Sequence, residues 1–473
     1  MKILYVAAEA SPFIKVGGLG DVMGGLPKEL CKMGHDARVV IPLYSQIKDE
    51  LKNEMEFISS IGVPLGWRMS DCGIFKCEKE GVTYYFVDNE QYFKRNGVYG
   101  EFDDAERFAF FSKAVLEILP VVDFFPDVIN ANDWHTALTP LYINAFYRNI
   151  PAYKNIKTVL SIHNIEFQGK YDPLILGHVL GLDVTYRDIF MYDDCLNILK
   201  AGIESANIIT TVSKNYANEI LNPYFSHGLH NILEPRKYKL KGIVNGIDTD
   251  AFDPKTDENI YHKYDYKSIR FKTNNKTEFQ KEMALPVDPK KPLIGMVTRL
   301  TDQKGIDLVR DVMHEITKLD VQLAILGTGY PQYEDMFRYW ENECHDKVRG
   351  IITFSSSLAS KIYAASDLFL MPSKSEPCGL AQMIAMRYGT VPIVHTVGGL
   401  GETVEAYNPQ EKTGNGITFQ SYNALDMLDA INRGLSLYHN KDQWRILRKN
   451  AMHTDFSWKK SAEEYIAVYE EIE

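Results

Sequence analysis

One short segment in the second half of the chain combines features that bind anions with a carboxylate. Residues 372–380 read Pro-Ser-Lys-Ser-Glu-Pro-Cys-Gly-Leu; an apolar run that predicts a buried strand precedes them, and a helical pattern follows at 381–388. A turn that opens a helix presents free backbone N–H groups and the positive end of the helix dipole, where phosphate oxygens bind. The same turn carries Glu376, whose carboxylate suits a developing positive charge. Both signs at one turn indicate chemistry that separates a cation from a phosphate leaving group, as in sugar transfer from a nucleotide.

A second loop supplies two cations. Arg299 and Lys304 follow the apolar run Leu293–Val297, which predicts another buried strand. A guanidinium and an ammonium can hold a diphosphate in place of a metal ion. A solvated basic loop is the plainer interpretation, and it is weakened because we expect this loop to face Glu376 across a cleft.

A third loop, after the first predicted strand, is cationic and rich in glycine. It reads Lys15-Val16-Gly17-Gly18-Leu19 and precedes a helical pattern. Two glycines allow the backbone to approach a phosphate or a sugar closely, although an ordinary tight turn explains them equally well. The spacing is neither Gly-x-Gly-x-x-Gly nor a Walker motif, so it disfavours a dinucleotide oxidoreductase and an ATPase.

Polar residues also follow other predicted strands. Asp133-Trp134-His135 come after the third strand and His163-Asn164 after the fourth. A lone histidine is more often structural, so its interest depends on this placement. Asp248-Thr249-Asp250 resembles an Asp-x-Asp metal motif, but we prefer a structural interpretation and predict no metal site and no cofactor.

Composition narrows the class of protein. The 473 residues include 45% hydrophobic and 24% charged residues, which is typical of a globular protein with two domains. The net charge of −11 argues against partners that are nucleic acids or anionic membranes. Six scattered cysteines indicate reduced thiols, and the first eight residues read as a strand rather than a signal peptide. We expect a soluble cytoplasmic protein.

Short apolar runs without alternation recur between helical patterns and predict parallel α/β sheets. They are Ile3–Ala8, Ala37–Pro42, Asp127–Asn130, Thr158–Ile162, Ile208–Val212, Leu293–Val297, Val321–Leu326, Gly350–Phe354, Asp367–Met371 and Val391–His395. We expect two doubly wound Rossmann-like domains that face each other across a cleft, at residues 1–241 and 242–456, with a helix at 457–473 that packs back on the first domain. Because ligands bind at the carboxyl ends of strands in such sheets, the polar residues above predict an active site there.

Taken together, these motifs resemble the bacterial glycogen synthase and plant starch synthase family, whose members are retaining glycosyltransferases of the two-Rossmann-domain (GT-B) type. The resemblance covers essentially the whole chain, and the short bacterial enzymes have this length without a plastid-transit or starch-binding extension. The motifs that carry it are Lys15–Leu19 with Asp21, Asp133–His135, His163-Asn164, Val244–Asp248, Arg299–Gly305, Glu376–Leu380 and Gly398–Leu400.

The resemblance implies transfer of glucose from ADP-glucose to the non-reducing end of an α-1,4-glucan such as a glycogen primer. Arg299 and Lys304 would hold the diphosphate, Glu376 would stabilise the oxocarbenium-like state, and His163 would contact the glucose. Further expected contacts of donor and acceptor are Lys15, Gly17, Gly18, Asp21, Tyr99, Asp133, Asn164, Asn245, Phe354 (against the base), Cys378, Gly379 and Leu380. The preference for ADP over UDP follows from the family alone.

Some positions depart from the family pattern. Val16 replaces a threonine, Asn130 and Asn132 stand where histidines commonly precede Asp-Trp, and Ser375 replaces a common aromatic residue. The residues expected to perform the chemistry are all present. No second carboxylate obviously faces Glu376, so we expect a front-face route in which the departing phosphate accepts the proton of the acceptor.

Several alternatives stay open at this point. The same fold could transfer glucose to a small acceptor, as sucrose- or trehalose-type synthases do. A phosphorolytic enzyme would carry pyridoxal phosphate. The chain could also be a catalytically silent module that binds glucan, which the intact set Arg299, Lys304 and Glu376 disfavours.

Overall fold

The computed structural model describes residues 1–472, which form two compact units. The first unit contains Met1–Gly246 together with the chain from Trp458 onward, and the second unit is Ile247–Ser457. The sequence analysis expected domains at residues 1–241 and 242–456, and these limits stay a prediction. No helix within residues 1–472 combines the length and the apolar character needed to cross a membrane.

The first unit is built on a large mixed sheet. Its strands, with those of a small antiparallel sheet, are β1 Lys2–Val6, β2 Asp36–Pro42, β3 Glu56–Leu65, β4 Arg68–Lys79, β5 Val82–Asp88, β6 Val128–Asn132, β7 Lys157–Ile162, β8 Lys170–Tyr171, β9 Met191–Tyr192, β10 Cys195–Asn197, β11 Ile208–Thr211 and β12 Leu240–Gly242. The order in the large sheet is β12-β11-β7-β6-β1-β2-β5-β4-β3, and β8-β10-β9 form the small one. From β12 to β5 all pairings are parallel.

Helices cover both faces of this sheet. They are α1 Gly18–Lys32, α2 Asp49–Lys52, α3 Glu90–Phe93, α4 Asp104–Ile118, α5 Leu138–Tyr142, α6 Ile175–His178, α7 Arg187–Phe190, α8 Ile198–Ser205, α9 Lys214–Glu219 and α10 His230–Leu233. A π-helical turn, Ile143–Tyr147, continues α5, and two 3₁₀ turns span Val184–Tyr186 and Glu234–Lys239. Asn89, Asn197 and Ser213 cap the starts of their helices, because each side chain accepts a backbone N–H that the helix leaves unpaired.

The second unit is a smaller parallel sheet with helices on both faces. Its strands are β13 Leu293–Val297, β14 Gln322–Leu326, β15 Val348–Ile351, β16 Leu368–Met371, β17 Val391–His395 and β18 Ile417–Phe419, in the order β15-β14-β13-β16-β17-β18. Its helices are α11 Arg270–Glu282, α12 Ile306–Asp311, α13 Met313–Lys318, α14 Pro331–Glu343, α15 Ser356–Ala365, α16 Ala381–Arg387, α17 Gly398–Thr403, α18 Ala424–His439 and α19 Lys441–His453, with a 3₁₀ turn at Asp302–Lys304.

The Rossmann-like architecture predicted for both halves is confirmed, and its central strands are buried on both faces. Ile325, Leu370 and Ile393 are almost completely inaccessible in the core of the second unit, where Phe337 and Leu447 pack from the helices. Such continuous burial explains why these strands have apolar runs without alternation.

Three details of the sequence prediction are corrected by the structure. The strand expected at Gly350–Phe354 ends at Ile351, because Ser355 caps α15 and turns the chain at Phe354. The strand expected at Ile3–Ala8 ends at Val6. The strands β3, β4 and β5 were not expected; β3 and β4 are long, half-exposed and antiparallel, so their residues lack a continuous apolar run.

The last helix, α20 Trp458–Glu470, belongs to the first unit. It packs on α1 at Gly25, where a Cβ atom would lie 2.0 Å from the Trp458 indole nitrogen, so only glycine permits this approach. The hydroxyl of Tyr469 lies 2.8 Å from that of Tyr5, and the Ser461 hydroxyl donates to the Val244 carbonyl at 2.6 Å. The helix therefore completes the core of a unit whose first segment ends at Gly246, more than 200 residues earlier.

Candidate active site

The residues expected to act on the donor lie on neighbouring loops of the second unit. Lys304 Nζ lies 2.7 Å from Glu376 Oε2, and the Ser373 hydroxyl donates to the same oxygen at 3.1 Å. Lys304 is on the 3₁₀ turn after β13, and Glu376 is on the loop between β16 and α16. The ion pair is largely buried, with 15% and 9% of the two side chains exposed. Two loops from adjacent strands of one sheet thus place a cation and a carboxylate in contact, whereas the sequence analysis expected them to face each other across a cleft.

Backbone contacts hold these loops against each other. The Lys374 N–H donates to the Gln303 carbonyl at 2.9 Å, which ties the loop of Glu376 to the turn of Lys304. On the other side, the Gly399 N–H donates to the Glu376 carbonyl at 3.0 Å. Gly398 has φ +47°, and a Cβ atom there would lie 2.1 Å from the Glu376 carbonyl oxygen. Only glycine fits at position 398, so Gly398 sets the position of Glu376.

The other predicted residues of this unit differ in how exposed they are. Arg299 is exposed after β13, and its guanidinium has no hydrogen bond or ion pair with any residue in the range 1–472. Cys378 is buried, Gly379 has φ +73° and Leu380 is the residue before α16. Phe354 lies on the loop after β15 with 92% of its surface exposed. The exposed guanidinium of Arg299 and the exposed ring of Phe354 are therefore available to a ligand. The side chain of Cys378 is instead packed in the interior.

In the first unit, the glycine-rich loop is held by a carboxylate that the sequence analysis missed. Glu9 is only 2% exposed, and its carboxylate accepts hydrogen bonds from the Val16 N–H and, at 3.0 Å, from the Gly17 N–H. Burial raises the pKa of Glu9, while the two amides act in the opposite direction. The Gly17 amide is therefore occupied, and the approach of a phosphate to this loop has to use other groups. No motif marked Glu9, which directly follows the apolar run Ile3–Ala8.

Lys15 and Asp21 form an ion pair on this loop. Lys15 Nζ lies 2.7 Å from Asp21 Oδ1, with 49% and 28% of the side chains exposed. Gly18, which begins α1, is exposed, and a Cβ atom there would have no neighbour within 4 Å. An exposed ion pair of this kind is worth roughly 0–1 kcal/mol, so an anionic ligand can displace Asp21 easily.

Asp133 connects two strand ends. It follows β6 with φ +58°, an unusual conformation for a residue with a side chain. Its carboxylate Oδ1 accepts the N–H of His163 at 2.7 Å and that of Asn164 at 3.5 Å, both after β7. Burial raises the pKa of Asp133 to about 7, and burial lowers the pKa of His163 to about 4. The strained backbone and the shifted acid are typical of a functional site.

Tyr99 lies close to the carboxylates of Glu9 and Asp133. Burial raises its pKa well above the ordinary value, and the charges of Glu9 and Asp133 add to the effect. Its ring packs 4.6 Å from that of His135, whose own pKa burial lowers to about 3. The structure thus brings Tyr99, Asp133, His163 and Asn164 together.

Asn245 was also predicted to belong to this site. No described hydrogen bond links it to the four residues just named. It follows β12 and is 6% exposed, and its side-chain oxygen is buried without a hydrogen-bond partner among the described residues.

The six cysteines are free thiols, and the described part of the chain contains no cluster of three His, Cys, Asp or Glu side chains that could hold a metal ion.

The two Rossmann-like units, with cations and carboxylates beyond the ends of their strands, are those of a GT-B glycosyltransferase. Residues 2–235 match the family model "Starch synthase catalytic domain", and residues 277–452 match "Glycosyl transferases group 1". The chain is 48% identical over 475 residues to "Glycogen synthase" of Clostridium botulinum (strain Alaska E43 / Type E3), covering 100% of this chain and 99% of the relative. It is 47% identical to "Glycogen synthase" of Bacillus subtilis (strain 168), covering 100% and 98%. The chain therefore belongs to the glycogen synthase and starch synthase family, as the sequence motifs predicted.

Solved structures agree with this assignment. The catalytic domain of Starch Synthase IV from Arabidopsis thaliana, bound to ADP and acarbose, superposes with a TM-score of 0.92 at 33% identity, covering 100% of this chain and 99% of that one. Sucrose-phosphate synthase from Thermosynechococcus elongatus gives a TM-score of 0.62 at 16% identity, covering 100% and 98%, and shares the fold.

Proposed function

We propose that this protein is a glycogen synthase that transfers glucose from ADP-glucose to the non-reducing end of an α-1,4-glucan, with retention of the anomeric configuration and release of ADP. The observation that carries the proposal is the buried pair of Lys304 and Glu376 at 2.7 Å, with the unpaired guanidinium of Arg299 on the same loop as Lys304. Full-length relatives named glycogen synthase and the starch synthase structure with bound ADP and acarbose support the choice of donor and acceptor.

The cations are assigned to the leaving group. Arg299 and Lys304 bind the diphosphate and neutralise the charge that develops as the bond from the sugar to the phosphate breaks. The backbone N–H groups of residues 378–380 add hydrogen bonds, and the exposed ring of Phe354 stacks on the base. When the diphosphate takes over Lys304, Glu376 keeps the hydrogen bond from Ser373 but loses its cationic partner and becomes available to the glucose.

Glu376 is assigned to the sugar, where its charge stabilises the oxocarbenium-like state and its oxygens bind glucose hydroxyls. In a front-face reaction, the acceptor hydroxyl attacks the anomeric carbon on the side from which the phosphate departs. The bond to the phosphate oxygen breaks, the new glycosidic bond forms, and the hydroxyl proton moves to the departing phosphate. No covalent glycosyl-enzyme and no second carboxylate are needed.

The residues of the first unit are assigned to the phosphates, the glucose and the acceptor. Lys15 binds phosphate oxygens after leaving Asp21, and the loop of Gly17 and Gly18 provides the space for this approach. His163 contacts the glucose through its ring and its backbone carbonyl. The residues assigned to the glucose and acceptor side are Asp21, Tyr99, Asp133, Asn164 and Asn245.

We also propose a cytoplasmic location. Six free cysteines fit a compartment in which thiols stay reduced.

The test is incorporation of glucose into glycogen by the purified protein, with ADP-glucose and UDP-glucose at equal concentration, with and without a chelator. We expect strong incorporation from ADP-glucose in both conditions. The product is then digested with an enzyme specific for α-1,4 linkages at non-reducing ends, which should release the label. Transfer to a small sugar but not to glycogen would retain the fold assignment and overturn the assignment of the acceptor. Absence of turnover with either donor, despite glucan binding, would favour a silent binding module.

A further inference from the structure

Asn132, the last residue of β6, makes a contact that the assignments above do not use. It is 1% exposed, and its side-chain oxygen lies 2.8 Å from Nε2 of His163. The two residues come from adjacent parallel strands, in which Asn132 is paired with Ser161, two residues before His163. A buried amide is therefore in direct contact with the imidazole assigned to the glucose.

The orientation of the Asn132 amide is fixed by its other neighbours. Its Nδ2 donates to the Val6 carbonyl at 3.1 Å and to the Asn130 carbonyl at 3.1 Å. Carbonyl oxygens only accept hydrogen bonds, so the NH₂ group has to face them and the side-chain oxygen has to face His163. The backbone of Asn132 is held as well, since its N–H donates to the Thr136 hydroxyl and its carbonyl accepts from the same hydroxyl.

This orientation determines which nitrogen of His163 carries the proton. The Asn132 oxygen accepts a hydrogen bond and cannot donate one, so Nε2 of His163 has to be the protonated nitrogen. Burial lowers the pKa of His163 to about 4, so the ring is neutral near pH 7 and its Nδ1 has a lone pair. Nδ1 has no hydrogen-bond partner within the described residues, and it is not among the buried unpaired atoms.

We propose that Asn132 is a positioning residue that fixes the Nε2–H tautomer of His163, so that Nδ1 accepts a hydrogen bond from a hydroxyl of the transferred glucose. The proposal rests on the proposed function for the identity of the sugar. The tautomer is a property of the unliganded protein and can be tested without turnover. A sugar that lacks this hydroxyl should therefore be a poorer substrate, because the Nδ1 lone pair is then left without a donor in the complex.

The first experiment measures the tautomer directly. The intact protein is labelled with ¹⁵N-histidine, and the ring signals of His163 are assigned by their absence in His163→Asn. At pH 7 we expect a protonated Nε2 and a lone pair on Nδ1. A protonated Nδ1, or an even mixture of the two tautomers, would overturn the proposal even if the enzyme makes glycogen. An enzyme that fails to make glycogen but shows the expected tautomer would contradict the proposed function and leave the positioning role intact.

The second experiment separates positioning from packing with two matched variants, Asn132→Leu and Asn130→Leu. Asn130 is equally buried two residues earlier on β6, but its side chain contacts Tyr469 and Ser161 rather than the ring of His163. Both variants should lower the unfolding temperature. Only Asn132→Leu should mix the tautomers of His163 and lower kcat/KM for ADP-glucose about tenfold or more, as loss of a histidine's supporting hydrogen bond does elsewhere.

A third variant covers the case in which Asn132→Leu fails to fold. Asn132→His restores the residue type that the family commonly has here, and a ring nitrogen can accept from His163 Nε2–H. We expect Asn132→His to keep the tautomer and at least a third of the activity. Equal loss of activity in Asn132→Leu and Asn130→Leu, with the tautomer unchanged in both, would show that Asn132 only packs.

Discussion

Lys304 and Glu376 form an ion pair of 2.7 Å between the loops that follow β13 and β16, the two central strands of the second sheet. Neither side chain is more than 15% exposed. Lys304 is assigned to the negative charge of the departing phosphate, and Glu376 to the positive charge of the sugar. In the unliganded protein these two side chains therefore neutralise each other. A diphosphate that binds Lys304 also releases Glu376.

The first prediction concerns Glu376→Gln. Glutamine keeps the shape and the contact with Ser373 but removes the charge, so transfer should fall on the order of 100- to 1000-fold. The affinity for ADP should stay the same or increase, because Lys304 no longer has to leave a carboxylate. Glucose incorporation and calorimetric titration with ADP measure the two effects. Lys304→Met is the comparison, and it should weaken ADP binding. Loss of ADP binding in Glu376→Gln with normal turnover at saturation would contradict the assignment.

The second prediction concerns Glu9→Gln. The Val16 and Gly17 N–H groups share Oε2 of Glu9, and the Gly17 N–H also approaches Oε1 at 3.2 Å, so a glutamine that keeps its oxygen in the first place turns its NH₂ group toward the Gly17 N–H, and both donors lose the charge that they bind. The variant should be less stable by about 1–3 kcal/mol and should have a higher KM for ADP-glucose, because the Lys15 loop is no longer held. Urea unfolding and steady-state kinetics measure both, with the exposed Glu56→Gln as control. Unchanged KM together with lower stability would limit Glu9 to a structural role.

Gly398→Ala tests the backbone support of Glu376. The new Cβ would lie 2.1 Å from the Glu376 carbonyl at a residue with φ +47°, so the loop has to move. A displacement of about 1 Å can cost on the order of 100-fold in turnover, and we expect kcat to fall at least tenfold. Gly177→Ala in α6 is the matched control, because its nearest atom would be 3.8 Å away. If both variants kept full kcat, the loop would not depend on this contact.

Asp133 predicts a pH dependence of stability. Burial raises its pKa to about 7 from an ordinary value of 3.8, so the folded protein holds this proton more strongly than the unfolded chain. The stability that the group contributes is fully present below pH 4 and is lost as the pH rises through 7. The difference in unfolding free energy between the wild type and Asp133→Asn should therefore fall from pH 4 to pH 8. Urea titrations at both pH values measure it. A difference that grows with pH would mean that the His163 and Asn164 amides favour the carboxylate more than burial opposes it.

Tyr469→Phe should change stability without changing catalysis. The hydroxyl of Tyr469 contacts that of Tyr5 and accepts from the Asn130 amide at 2.7 Å, all in the buried core. Its loss leaves buried polar groups unpaired, which costs about 1–3 kcal/mol. Thermal unfolding and kinetics of Tyr469→Phe are compared with Tyr238→Phe, whose residue is 75% exposed. A drop in kcat at unchanged stability would mean that the network also acts on the site.

The sequence predicted the parts of the site that depend on position along a strand. Arg299, Asp133 and His163 all lie just beyond the strands they were expected to follow, because a buried parallel strand has a recognisable apolar run. The direct contact of Lys304 with Glu376 was not predicted, because it depends on β13 and β16 being neighbours in the sheet, an order that the apolar runs do not reveal. The roles of these residues stay predictions.

The contacts that depend on tertiary packing could not be predicted. Glu9 was overlooked because no motif marks a carboxylate that accepts amides seven and eight residues later. Asn132 was recognised only as a departure from the family, since its role depends on carbonyls of β1 and β6 and on a ring beyond β7. The strands β3 and β4 were missed because one face of each is exposed.

The place of α20 in the first unit also constrains the order of events during synthesis of the chain. The ribosome makes residues 1–246 first, yet Trp458 and Tyr469, which pack against Gly25 and Tyr5, emerge only after the whole second unit. Domains generally fold as units while the chain emerges, so the second unit can close before the first is complete. Until then, the first unit exposes the apolar surface of α1 that α20 covers. A nascent chain stalled before residue 458 should therefore be the species that chaperones and proteases recognise.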